Sequence, residues 1–166
     1  HTLGVQLPRF SELPHHLEAL LDQTLEITKR TRGEYRSHFE RVYCRGVLRC
    51  FDGIEVRFRT NDFDHCFFES SNRDGVKDQF SAQRAGRIDW IKAALQDGQA
   101  DLFVGWDGKK RRYDHSRRVT LVMGNYVVVI RLTGRRKARF VTAFVADSQR
   151  TLNRIKGGPR WTPPSA

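Results

Sequence analysis

Six basic residues flank a tyrosine and a histidine in KKRRYDHSRR, residues 109–118. Run as a strand, this segment puts Lys109, Arg111, Tyr113 and His115 on one face and Lys110, Arg112 and Asp114 on the other. The first face would offer cations for a phosphate, a ring for base stacking and an imidazole for proton transfer. The same run also reads as a solvated charge cluster that protects a sheet edge. His65 lies between acids and aromatics in FDHCFF, at the end of an extended section. An imidazole's ordinary pKa of about 6.5 suits a general base or acid, and a structural histidine in a half-buried corner is the alternative. Arg84 and Arg87 lie three apart in an amphipathic stretch and so share a helix face overlapping that of Ile88 and Ile91. They either reach into a cleft or pair at the surface with Asp78 or Asp89. Thr142, in RFVTAFVA, has the strand parity of Phe140 and Phe144, so its hydroxyl needs a partner among apolar neighbours. That partner is a phosphate oxygen, a catalytic imidazole or the backbone.

The elements that must position these groups follow from periodicity. Ser11 and Pro14 mark a helix start, with Leu17, Leu20, Leu21 and Leu25 at helical spacing and Gly33 as a break. A second helix is expected from Glu34 to about Tyr43, with Tyr35, Phe39 and Val42 on one side. Ile54, Val56 and Phe58 alternate with Glu55, Arg57 and Arg59, the pattern of a half-buried strand, and Asp52-Gly53 before it is a hairpin turn signal. Phe80, Ile88, Ile91 and Leu95 predict one helix over residues 78–96. From Leu102 onward the chain reads as an antiparallel meander with turns at Asp107-Gly108, Gly124-Asn125 and Thr133-Gly134-Arg135. The Gly/Pro-rich C-terminus reads as irregular.

Charge is distributed unevenly. Residues 109–160 hold 15 Lys/Arg against Asp114 and Asp147, a local balance of +13 where the whole 166-residue chain nets +11. A positive field displayed on a sheet favours a polyanion, nucleic acid above all. No apolar stretch approaches the roughly 20 residues of a membrane helix. Cys44, Cys50 and Cys66 are odd in number and lack a CxxC, which favours free thiols in a reducing compartment, hence a cytoplasmic protein. No zinc spacing, phosphate-cradling loop or dinucleotide fingerprint occurs, so no cofactor is expected. Carboxylates are scarce in the basic third, which argues against a two-metal nuclease. Cleavage of RNA needs no metal when the 2′-hydroxyl is the nucleophile, and His, Lys, Arg, Tyr and Thr are the residue types it uses.

The succession DHCFFES (64–70), FSAQRAGRIDWI (80–91), KKRRYDH (109–115), YVVVIRL (126–132) and RKARFVTAF (136–144) resembles the phage-associated nuclease-like domains of the barnase–EndoU–colicin–RelE superfamily, over about residues 46–156. The resemblance implies N-terminal helices packed on a four-stranded antiparallel sheet, and a metal-independent RNase site on the sheet face, often deployed as a toxin. Carried over by position, His65, Arg111, Tyr113 and Thr142 become the catalytic candidates. Arg84, Arg87, Lys109, Arg112, Arg131 and Lys137 become the candidate nucleic-acid-binding cations. The expectation is therefore an α+β chain with an N-terminal helical segment (1–45), an RNase-like domain (46–156) and an irregular tail (157–166). It cleaves RNA to a 2′,3′-cyclic phosphate, and an acidic antitoxin or immunity protein is a fitting partner. The rival expectation is a non-catalytic RNA- or DNA-binding module of a phage or mobile-element protein, which needs only the basic sheet and its aromatics.

Overall fold

A computed structural model of the chain describes residues 30–70 and 76–163. The leucine-spaced helix expected from Ser11 onward lies outside the described residues, as does the loop at 71–75. The chain is α+β. Helix α1 (Arg32–Tyr43) begins at a reciprocal cap: Glu34 N–H donates to Thr31 Oγ1 at 3.1 Å, and Thr31 N–H donates to Glu34 Oε1 at 2.8 Å. This T-x-x-E signature satisfies donors that a helix start otherwise leaves over. Tyr35, Phe39 and Tyr43 are its buried side, whereas Val42, expected there, is exposed.

Strands β1 (Val47–Arg49) and β2 (Glu55–Arg57) form the expected hairpin. Its turn places Gly53 at φ +88°, which glycine adopts without a Cβ clash. Ile54, Val56 and Phe58 face the core as their alternation predicts. The next segment corrects the sequence reading, because DFDHCF is helix α2 (Asp62–Phe67) and not the end of an extended run. Asp62 accepts the Arg59 N–H at 2.8 Å and turns the chain, and Phe63, Cys66 and Phe67 then recur at helical spacing and are buried.

A two-stranded ribbon, β3 (Phe68–Glu69) with β4 (Gln79–Phe80), follows. The single helix expected over 78–96 is broken. Phe80 belongs to β4, and the rest divides into α3 (Ala82–Ala85) and α4 (Ile88–Leu95) at Gly86 and Arg87. Glycine lowers helix propensity by about 1 kcal/mol relative to alanine, and Ile88, Ile91 and Leu95 still supply the buried face of α4.

Strands β5 (Asp101–Asp107), β6 (Arg112–Val122), β7 (Tyr126–Gly134) and β8 (Lys137–Val145) are the antiparallel meander. β8 then takes β2 as a parallel neighbour, which gives the order β1-β2-β8-β7-β6-β5. The expected antiparallel sheet of four or slightly more strands is thus one part of a six-stranded mixed sheet. Nor are the helices confined to the N-terminal side, since α5 (Gln149–Lys156) follows the sheet. Part of the tail is docked: Val104 N–H donates to Pro159 O, Trp161 N–H donates to Leu102 O, and the Trp161 ring is buried.

The sheet buries both faces, unequally. On one face Val104, Val122, Val128, Ile130 and Phe140 join the aromatic layer of α1 and α2 and the apolar side of α4. On the other, Phe103, Val119, Leu121 and Val127 pack under Leu152 and Ile155 of α5. This second core covers only part of its face. What fills the remainder determines the site.

Candidate functional site

Beyond the rows covered by α5, the same face carries arginine. Arg117 of β6 pairs in register with Arg131 of β7, Arg131 with Arg139 of β8, and Arg139 with Arg57 of β2. Each neighbours a residue that points into the helical core: Arg118, Ile130, Phe140 and Val56. Alternation along a strand therefore directs all four guanidinium groups to the opposite face. Three strand spacings separate the ends, about 14 Å. Like charges directly opposite on adjacent strands are destabilising, by roughly 0.2–1 kcal/mol per pair. A row of four works against the fold and calls for an anionic partner.

Two local features shape the row. On β5 Gly105 lies beside Arg117, and an added Cβ there would lie 2.7 Å from the Arg117 Cβ. The missing side chain lets Arg117 lie across the edge strand. Asp114 is the internal counter-charge: its Oδ2 lies 3.3 Å from Arg131 Nη2 and 3.7 Å from Arg117 Nε. Hydrogen bonds from the Ser116 hydroxyl and N–H, with the two guanidinium groups, hold its carboxyl below the usual range. Arg57 and Arg139 have no ion-pair partner among the described residues. They open onto a hollow of about 590 Å³ whose wall also carries Arg45, Arg59, Thr133 and Lys137. The anion-binding potential is thus greatest at the β2–β8 end.

His65 is carried by α2, which packs against β8. It is exposed on α2, and its charge, with those of Arg139 and Arg59, acts on the buried Asp62 carboxyl. Burial raises the Asp62 pKa, and the Arg59 N–H, the two arginines and His65 offset part of that rise. Asp62 thus feels the charge of His65, on its own helix, and of Arg139 and Arg59, two of the arginines that line the cavity.

The other expected residues are placed differently. Lys109 and Arg111 are in the β5–β6 turn, where Asp107 Oδ1 accepts the N–H groups of Lys109 and Lys110 and Arg111 takes φ +53°. The strand begins only at Arg112, which pairs with Asp107 and is exposed at the hairpin tip. A bulge then lets Gly105 face Asp114 while Val104 faces Arg118, so residues 115–117 interrupt the ladder. The shared face expected for Lys109, Arg111, Tyr113 and His115 does not form. Tyr113 pairs with Trp106 instead, ring against ring. Because β6 is three strands from β2, the structure does not bring Arg111 or Tyr113 to His65.

Arg84 braces the helical layer, with Nη1 donating to Cys66 O at 3.2 Å and Nε 3.4 Å from Glu69 Oε1. Arg87 donates to Gln83 O and lies over the Trp90 ring. Asp89, one of the two acids expected to pair with these arginines, binds His38 at 2.7 Å and ties α4 to α1. Thr142 is half-buried near the Cys66 thiol, which donates to Ala143 O at 3.4 Å and which burial pushes up to about 12. The parity expected to be shared by Phe140, Thr142 and Phe144 does not hold, because a bulge between Phe140 and Thr142 sends Phe140 to the helical core and Phe144 to the core under α5. Of the expected binding cations, Arg131 lies in the arginine row and Lys137 lines the hollow.

Sequence reasoning missed Arg57, Arg117 and Arg139 as a set, along with Asp62 and Arg59. Their outward parity was readable strand by strand, but the register that joins Arg57 to Arg139, 82 residues further along the chain, was not.

Among the described residues no group of three His, Cys, Asp or Glu is placed to hold a metal ion, and no helix is long and apolar enough to cross a membrane. Cys44, Cys50 and Cys66 are free thiols. No family model, curated protein or solved structure matches the chain. The fold and the basic sheet face therefore define it as an α+β protein with a candidate polyanion site.

Proposed function

We propose that the open half of the sheet holds an RNA backbone and that the protein is a metal-independent endoribonuclease. The registered row Arg57–Arg139–Arg131–Arg117 carries the reading, because it places like charges side by side and Asp114 offsets only its Arg131–Arg117 side. The phosphate to be cut lies at the Arg57–Arg139 end, where Asp114 does not neutralise the row. His65 takes the proton of the 2′-hydroxyl, and the 2′ oxygen attacks the adjacent phosphorus. Arg139 and Arg59 stabilise the charge that develops on the phosphorane oxygens. The bond to the 5′ oxygen breaks, that oxygen takes up a proton from water, and a 2′,3′-cyclic phosphate remains. The resemblance to the barnase–EndoU–colicin–RelE nuclease-like domains supports the catalytic part. In the cytoplasm, such an activity would call for an acidic antitoxin or immunity protein to cover the row.

A second reading, binding of RNA or DNA without cleavage, is favoured by the position of His65, on α2 and not within the row. A short end-labelled RNA distinguishes the two. The enzyme leaves cyclic phosphate ends with or without EDTA, and His65→Ala abolishes cleavage while affinity and Tm stay close to those of the wild type. Intact RNA at high protein concentration supports the binder, and loss of cleavage in EDTA defeats the metal-independent mechanism.

A further inference from the structure

Among the three tryptophans, Trp106 is 46% exposed, while Trp90 and Trp161 are 7% and 6% exposed. Its ring is fixed: Tyr113, its register partner, meets it edge-on with centroids 5.0 Å apart. Tyr113 is held in turn by Gly158, where an added Cβ would come 2.9 Å from Tyr113 Cε1. A large ring presented to solvent on a rigid support is a preorganised surface for stacking, and every nucleobase has a π-face.

Its place relative to the arginine row gives the surface a role. Gly105, the residue that lets Arg117 lie across β5, immediately precedes Trp106. Alternation puts Trp106 on the other side of this edge strand from the row. The tail covers the β5 edge only at residues 102–104, through Pro159, Arg160 and Trp161. From Gly105 onward that edge is uncovered among the described residues, and the cationic turn Lys109–Arg112 adjoins it. A strand leaving the row past Arg117 crosses no side chain at Gly105 and arrives at Trp106. Only an unpaired base can turn over an edge and stack there, because a duplex keeps its bases inside.

We propose that Trp106 is a base-stacking platform by which the protein selects single-stranded over double-stranded RNA. The proposal rests on the RNA reading of the row. The probe is a 2′-O-methyl oligouridylate, which lacks the nucleophilic hydroxyl and cannot be cut by 2′-hydroxyl attack, compared with a 2′-O-methyl duplex of equal length. Because the other tryptophans are buried, quenching of intrinsic fluorescence reports on Trp106. The single strand should quench saturably and bind more tightly than the duplex. Trp106→Ala should lose the quench and about tenfold in single-strand affinity, the scale of one stacked base, with duplex affinity unchanged. Trp106→Phe should restore most of the affinity. Single-strand binding without quenching, or equal losses for single strand and duplex in Trp106→Ala, would overturn the platform. If the oligomer binds and Arg139→Gln weakens it while Trp106→Ala does not, the platform alone fails. If Arg139→Gln leaves binding untouched, the row reading fails as well.

Discussion

His65 and Asp62 are three apart on α2, so they share one side of the helix that approaches β8. This single turn puts His65 on the helix whose Asp62 carboxyl feels Arg59 and Arg139. The sequence reading identified His65 from its chemistry but joined it to Arg111 and Tyr113, since the densest basic run lay there. Nearness in composition did not become nearness in space. The cysteines show the same scale in another way: burial raises the thiols of Cys44 and Cys50 to about 11 and that of Cys66 to about 12. A thiol with a raised pKa is protonated below it, so at pH 8 the reactive thiolate is about one part in a thousand or less. Iodoacetamide at pH 8 should leave Cys50 and Cys66 unmodified in the native protein and label all three residues in denaturant, with native labelling rising as the pH approaches 11. Rapid native labelling of Cys66, read by mass spectrometry, would contradict its placement.

At the scale of elements, the strands of the meander, the β1–β2 hairpin and α1 were legible because each rests on a short-range signal: alternation, a turn dipeptide or a helical spacing. What was not legible depends on partners distant in sequence. The parallel junction of β2 with β8 joins Glu55 to Lys137 and is invisible to any local pattern. The break at Gly86 was hidden because Ile88, Ile91 and Leu95 keep helical spacing on their own. The bulge in β6 hid the true parity of residues 112–118 and misassigned the basic face. Gly105, opposite that bulge, gives a prediction for this scale. In Gly105→Ala the new Cβ would meet the Cβ of Arg117, close to the backbone, so one strand must shift. The expected loss is about 1–3 kcal/mol, several degrees in Tm, together with weaker RNA binding because Arg117 is displaced. A variant with unchanged Tm would show that β5 and β6 are not packed this closely.

For the whole molecule, the sheet face divides into two zones. One is apolar and sealed by α5; the other is cationic and open, with Asp114 neutralising the Arg117–Arg131 side and leaving Arg57 and Arg139 without an ion pair among the described residues. The local excess of +13 had pointed to residues 109–160 as the anion-binding region. The fold moves the emphasis to the β2–β8 end, where Arg57 from the near-neutral part of the chain completes the row. The charge that governs binding is therefore a property of register.

The salt dependence of RNA affinity tests this most directly. Each phosphate neutralised on a single strand adds about 0.7 to the magnitude of the slope of log K against log salt concentration. Arg57→Gln combined with Arg139→Gln should lower that slope by about 1.4 and weaken binding most at low salt, with Tm unchanged or raised as charge repulsion is relieved. A double variant that binds RNA with the affinity and salt slope of the wild type would contradict the account.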